Sequence, residues 1–146
     1  MNVLKTKVEK KFLFGIMLAI GIFLSVSCAQ KEDFAATSVD SLVQGYVKVE
    51  RDNNRNYIIR IHLSDLVEAT ELNPSKQAYV VWLVTDEFIT KNIGQVTTSS
   101  DMILNGIKNS FETVSSFKPS KIFITAENDA VAQHPGVQVI LATNRF

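Results

Sequence analysis

Cysteine, histidine, proline and glycine are scarce in this 146-residue chain: one Cys, two His, three Pro and six Gly. A single cysteine, Cys28, permits no disulfide within the chain, so the fold is held by its hydrophobic core alone. Metal centres need converging His, Cys or carboxylate ligands, and His62 and His134 each read as isolated residues of a strand face and a loop. No Gly-rich loop opens a helix, so the usual cradle for nucleotide phosphates is missing. No Gly-x-Ser-x-Gly elbow is present, and serines fall in loops such as Ser99-Ser100 and Ser115-Ser116, which argues against nucleophilic hydrolysis. Charge is balanced, with 15 basic and 15 acidic residues, and no basic stripe favours nucleic acid. Asp86-Glu87 is a carboxylate pair, but acid–base work needs a cleft, and these residues read as a solvated turn. Asp52-Asn-Asn-Arg-Asn56 imitates the start of a calcium loop. Tyr57 and Leu63 then stand where such a loop requires Gly and Glu, so a hairpin turn is expected instead. The expectation is a protein without metal or cofactor, and not an enzyme.

Long apolar runs are also few. The one that dominates lies in Phe12 to Ser27, without a single charge, after a head carrying Lys5, Lys7, Lys10 and Lys11. The run is short for a membrane-spanning helix, which needs about 20 apolar residues. A basic head, an apolar centre and small residues before a cut make a secretory signal; Ser25 and Ser27 supply the small residues. Cys28 follows at once, and there the segment resembles a bacterial lipoprotein signal peptide. Leu24 stands one residue further from the Cys than the usual pattern has it, and Ser25 takes its place. The resemblance implies that residues 1–27 are removed and that Cys28 carries the lipid, of the palmitate type, as the mature N-terminus. An uncleaved anchor and an ordinary secreted protein are the alternatives. The remainder, residues 28–146, is one domain's worth of chain, with 11 basic and 14 acidic side chains.

Residues 28–42 are small and polar apart from Phe34, and are expected to be a tether between lipid and domain. Gln30, Lys31, Glu32 and Asp33 resemble the export signal of surface lipoproteins in one group of Gram-negative bacteria, where a Lys and two acids after the Cys direct the protein to the outer leaflet. A solvated linker is the alternative reading of the same four residues.

From Val43 the hydrophobic period is two, which marks half-buried strands. Val43 to Glu50 and Tyr57 to Leu63 alternate in this way, with turn-forming residues between them, and are expected to pair as an antiparallel hairpin. Tyr57, Ile59, Ile61 and Leu63 share one face, while Arg60 and His62 share the other. Ser64 to Gln77 reads as a crossover with at most one helical turn, broken at Asn73-Pro74. Ala78 to Thr85 is apolar on both faces, which predicts a central strand covered on both sides, with Trp82 as its largest core residue. The Trp82 indole N–H then requires a partner. Weaker strands are expected around Asn92–Thr97 and Asn109–Val114, and firmer ones over Lys121–Ala126 and Val137–Ala142. Gly94 marks a bulge or a close backbone approach. Met102 to Ile107 reads equally as strand or helical turn.

Seven or eight short strands and no long helix after the signal predict an all-β domain over residues 43–146, an antiparallel immunoglobulin-like β-sandwich. Within Ala78 to Thr143, Tyr79-Val-Val-Trp82-Leu, Ile93-Gly94, Thr125-Ala-Glu127 and Pro135-Gly136 stand in an order that resembles the extracytoplasmic C-terminal domain of anti-sigma-K factors. The resemblance implies a related fold. It implies no sigma-factor binding, because only eleven residues precede the apolar run and no zinc motif is present.

These readings predict a monomeric outer-membrane lipoprotein of a Gram-negative cell envelope, exposed at the surface. Its membrane partner is reached through the lipid. Its domain binds an unknown protein or small molecule through Asp86–Lys91 and Glu127–Gly136, since loops on a rigid scaffold usually carry binding. A sensory or regulatory module related to the anti-sigma outer domain is the rival expectation.

Overall fold

The structure is a computed structural model that describes residues 29–36, 43–96 and 109–146. The signal segment, Thr98 to Asp101 and Met102 to Ile107 lie outside the described residues. The strands are β1 (Gln30–Ala36), β2 (Gln44–Arg51), β3 (Tyr57–Ser64), β4 (Ala78–Thr85), β5 (Thr90–Val96), β6 (Asn109–Ser115), β7 (Pro119–Glu127) and β8 (Val139–Thr143). One 3-10 turn, Ala69–Glu71, stands in the β3–β4 crossover, and the described residues contain no α-helix.

All pairings are antiparallel, and the strands form a single sheet in the order β5-β4-β7-β8-β1-β2-β3-β6. The sheet is nearly closed. Its edge strands β5 and β6 meet where the Phe111 ring lies over Gly94. Gly94 has φ +134, and the register with β4 skips from Val81↔Gly94 to Trp82↔Asn92. The residue therefore serves both as a bulge and as a close approach, and a Cβ there would fall 2.8 Å from Phe111 Cε2.

Residues 30–36 depart from the expected tether. Gln30 to Asp33 pair with β2, and Phe34 to Ala36 pair with β8, so β1 joins the two halves of the sheet. The physical reason is an unpaired ladder. Without β1, the facing backbone groups of β2 and β8 would both be edges. Phe34 packs against the core cluster and adds apolar contact to that pairing.

The main core is the inner face of the sheet. Val47, Ile59, Ile61, Tyr79, Val81, Leu83, Ile122, Ile124 and Leu141 are at most 2% exposed. Period-two patterning places them: Tyr79, Val81 and Leu83 point inward from β4 while Ala78, Val80 and Trp82 point outward. The outward set is buried too, because residues 128–138 fold back from the β7–β8 end and cover it with Ala130 and Ala132. Strand β4 is thus covered on both faces, as its continuous apolar run predicts. Trp82 is fully buried, but in this smaller outer cluster, with its ring 6.3 Å from that of Phe123.

Candidate functional site

Strand directions sort the loops between two ends. Ala29, the 52–56 turn, the 86–89 turn, the 116–118 loop and residues 144–146 lie at the end where β1 begins. The 65–77 crossover and residues 128–138 leave the opposite end. The two segments expected to share a binding surface, Asp86–Lys91 and Glu127–Gly136, therefore leave opposite ends of the sheet, and the second folds back along the outer face as far as Asn92. Cys28 lies outside the described residues, one position before Ala29.

The 128–138 segment is fixed to the sheet. Asn92 of β5 donates from Nδ2 to the carbonyls of Ala130 and Ala132, both at 3.0 Å. Beneath it runs a buried chain of hydrogen bonds. Trp82 Nε1 donates to Thr125 Oγ1 at 2.7 Å, and Thr125 Oγ1 donates to Glu127 Oε1 at 2.5 Å. The Gly136 N–H donates to the same carboxylate oxygen at 2.6 Å. Glu127 is 8% exposed, and a Cβ at Gly136 would lie 2.7 Å from its Oε2. Carboxylate, hydroxyl and indole thus satisfy one another and hold the loop by its Pro135-Gly136 corner. Val131 (69% exposed) and Val137 (102%) project from this pinned segment.

The expected export residues lie on both faces of β1. Lys31 and Asp33 are exposed on the outer face with their charged groups 3.9 Å apart, and the Lys31 ammonium stands 4.2 Å from the centre of the Tyr46 ring. Tyr46 in turn packs on His62 at 4.9 Å between centroids. Glu32 is half-buried opposite Val47.

Beside them an ion-pair row crosses three strands, because register sets Lys48 opposite Arg60 and Arg60 opposite Glu112. Lys48 Nζ reaches Glu50 Oε1 at 2.7 Å, Arg60 pairs with Glu50 through Nη1, and Arg60 Nε reaches Glu112 Oε2 at 2.9 Å. The Lys48 hydrogen bond, helped by Arg60 against partial desolvation, holds the Glu50 carboxyl below its ordinary range. The Glu112 and Glu50 hydrogen bonds raise Arg60. The row ties the sheet together.

The imitation calcium loop is a hairpin turn. Asp52 Oδ1 accepts from the N–H groups of Asn54 and Asn56 at 2.8 and 2.7 Å, and Oδ2 accepts from Asn56 Nδ2 at 3.2 Å. Arg55 takes φ 68 to close it. Asp86 and Glu87 are exposed in their turn, His134 is exposed in the 128–138 segment, and His62 stands on the outer face of β3. Among the described residues no group of three or more His, Cys, Asp or Glu is placed to hold a metal, and no helix is long and apolar enough to cross a membrane.

Sequence reasoning placed Phe88 and Ile89 in an expected binding loop but missed that Phe117 joins them. At the β1 end, Phe88 (66% exposed), Ile89 (49%) and Phe117 (47%) project beside one another's loops, which are joined by a hydrogen bond from the Asp86 N–H to the Lys118 carbonyl at 3.3 Å. The signal was apolar residues in two turns, Asp86-Glu-Phe-Ile89 and Ser116-Phe-Lys118, where polar ones are usual. No family model, curated protein or solved structure matches the chain.

Proposed function

We propose that this chain is a lipid-anchored lipoprotein of a Gram-negative cell envelope, attached to the outer membrane through Cys28, with a non-enzymatic β domain that binds a partner at the end remote from the lipid. The observation that carries this reading is topological. Gln30, two residues from Cys28, and the Pro135-Gly136 corner held by Glu127 lie at opposite ends of the sheet. A lipid at Cys28 therefore directs Val137, beside that corner, away from the membrane, on a segment held by Glu127 and Asn92. A rigid loop with exposed apolar side chains loses little entropy on binding, which favours recognition.

A photoreactive residue placed at Val137 in intact cells tests this. A discrete adduct from this position, absent from a control at Asn54, is expected. Equal adducts from both ends, or none from Val137, contradict the reading.

A second reading is a regulatory module related to the anti-sigma-K outer domain. It is favoured by the meeting of Trp82, Thr125, Glu127 and Gly136 in one hydrogen-bonded unit, because these are residues on which the resemblance rests. An adduct with a membrane-spanning protein encoded beside a sigma factor would favour it. The immunoglobulin-like description of the fold draws its support from β1, which changes partners from β2 to β8 midway, as a strand shared by two packed layers does.

A further inference from the structure

The end of the sheet from which the chain leads back to Cys28 carries features that folding does not require. Phe88 sits at φ 62, a region that costs a bulky residue free energy, and its ring remains 66% exposed. The turn that holds it there is well bonded. The Thr85 N–H reaches the Ile89 carbonyl at 2.9 Å, and the Ile89 N–H reaches Thr85 Oγ1 at 3.1 Å. Each exposed phenyl has a cation against its face: Arg145 Cζ is 5.0 Å from the Phe88 centroid, and Lys91 Nζ is 4.2 Å from that of Phe117. Lys118, Arg51 and Arg55 add positive charge at the same end. The carboxylates there are Glu32, Glu50, Asp52, Asp86 and Glu87; Glu50 is paired with Lys48 and Arg60, and both Asp52 oxygens are taken up within its own turn.

We propose that this end docks on an anionic lipid surface. Phe88, Ile89 and Phe117 enter the interface, and Arg145, Lys91 and Lys118 meet the headgroup phosphates. Exposed aromatic and aliphatic groups ringed by Lys and Arg suit that boundary, where the apolar body is buried and each basic residue adds attraction to the anionic headgroups.

The occupant is fixed by chain length. The inference rests on lipid attachment at Cys28, and β1 begins at Gln30. Two residues span at most about 7 Å, so the first strand starts within reach of the headgroups. A fifteen-residue tether over 28–42 would have allowed the domain to stand clear; pairing of Gln30 with Val49 removes that freedom. The loops beside Ala29 are then held at the bilayer at high effective concentration, so that even weak lipid contacts are occupied.

The test uses the full-length protein, purified from membranes and reconstituted in vesicles of phosphatidylethanolamine and phosphatidylglycerol. With Cys28 acylated, one introduced cysteine at a time takes a nitroxide: Glu87→Cys, Ser116→Cys or Val137→Cys. The first two flank the docking side chains and leave them intact. Oxygen, which partitions into lipid, should relax the labels at 87 and 116 preferentially, and a water-soluble nickel complex should relax the label at 137. Adding Phe88→Ser and Phe117→Ser should return the first two to the aqueous response while the protein still floats with the vesicles. Equal nickel access at all three positions in floating, otherwise unaltered protein overturns the proposal. Protein that does not float, and whose Cys28 takes the label, overturns the anchor reading and the proposal with it; flotation tells the two failures apart.

Discussion

The Phe111 ring of β6 packs directly over Gly94 of β5, and this contact brings together the two edges of an otherwise open sheet. Any side chain at position 94 meets that ring and must also adopt φ +134. Gly94→Ala should destabilise the domain by about 1–3 kcal/mol, combining overpacking with backbone strain. Adding Phe111→Leu should recover part of the loss, giving a non-additive cycle in urea denaturation. Strict additivity would mean that the edges do not touch through this pair.

Thr125 links the indole of Trp82 to the carboxylate of Glu127. Thr125→Val keeps the shape and removes the link, leaving a buried N–H and one carboxylate bond unmade. A loss of about 1–3 kcal/mol is expected, with a red shift or broadening of Trp82 fluorescence. Trp82→Ala should cost about 3–5 kcal/mol. A change below about 0.5 kcal/mol in either variant would contradict a pinned 128–138 segment, since surface changes fall in that range.

Much of this architecture was legible because the period of two is strong in the strands that build it. Val43 to Glu50 and Tyr57 to Leu63 alternate clearly; from Gln44 onward both lie in strands with their apolar side inward, as does the strand expected over Lys121 to Ala126. The apolar run of Ala78 to Thr85 announced burial on both faces, and Trp82 announced its need for a partner. Strand β1 was not legible. Gln30 to Asp33 is charged and follows a cysteine, and only the ladders of β2 and β8, distant in sequence, make it a strand. That the 86–89 turn and the 128–138 segment leave opposite ends of the sheet was hidden for a similar reason, since it depends on strand directions and not on local pattern. Single closure of the sheet turns on Gly94 and Phe111, whose meeting no local signal encodes.

Glu50 gives a pH signature. Its folded carboxyl titrates below the ordinary value of 4.5, so the stability it contributes is complete above that value and is lost as pH falls through the lowered one. Wild type should therefore lose stability more steeply than Glu50→Gln between pH ~5 and ~3, measured as urea midpoints. Parallel curves would show that Lys48 and Arg60 do not act on this group.

The charges of β1 offer a test of surface export. Lys31 and Asp33 are 59% and 83% exposed at the side chain, so replacing Lys31, Glu32 and Asp33 by Ala should lower stability by no more than about 1 kcal/mol. If the segment is a sorting signal, protease added to intact cells removes the wild-type domain and spares the variant, with lipidation unchanged. Equal cleavage of both would leave these residues a structural role in β1 alone.

Everything about orientation rests on the lipid at Cys28, and metabolic labelling with an alkyne fatty acid followed by intact-protein mass measurement tests it most directly. The wild-type protein should lose residues 1–27 and carry the label on the peptide beginning at Cys28, while Cys28→Ala should carry none and retain its signal segment. A labelled Cys28→Ala protein, or wild type that is cleaved and unlabelled, would contradict a lipid-anchored domain.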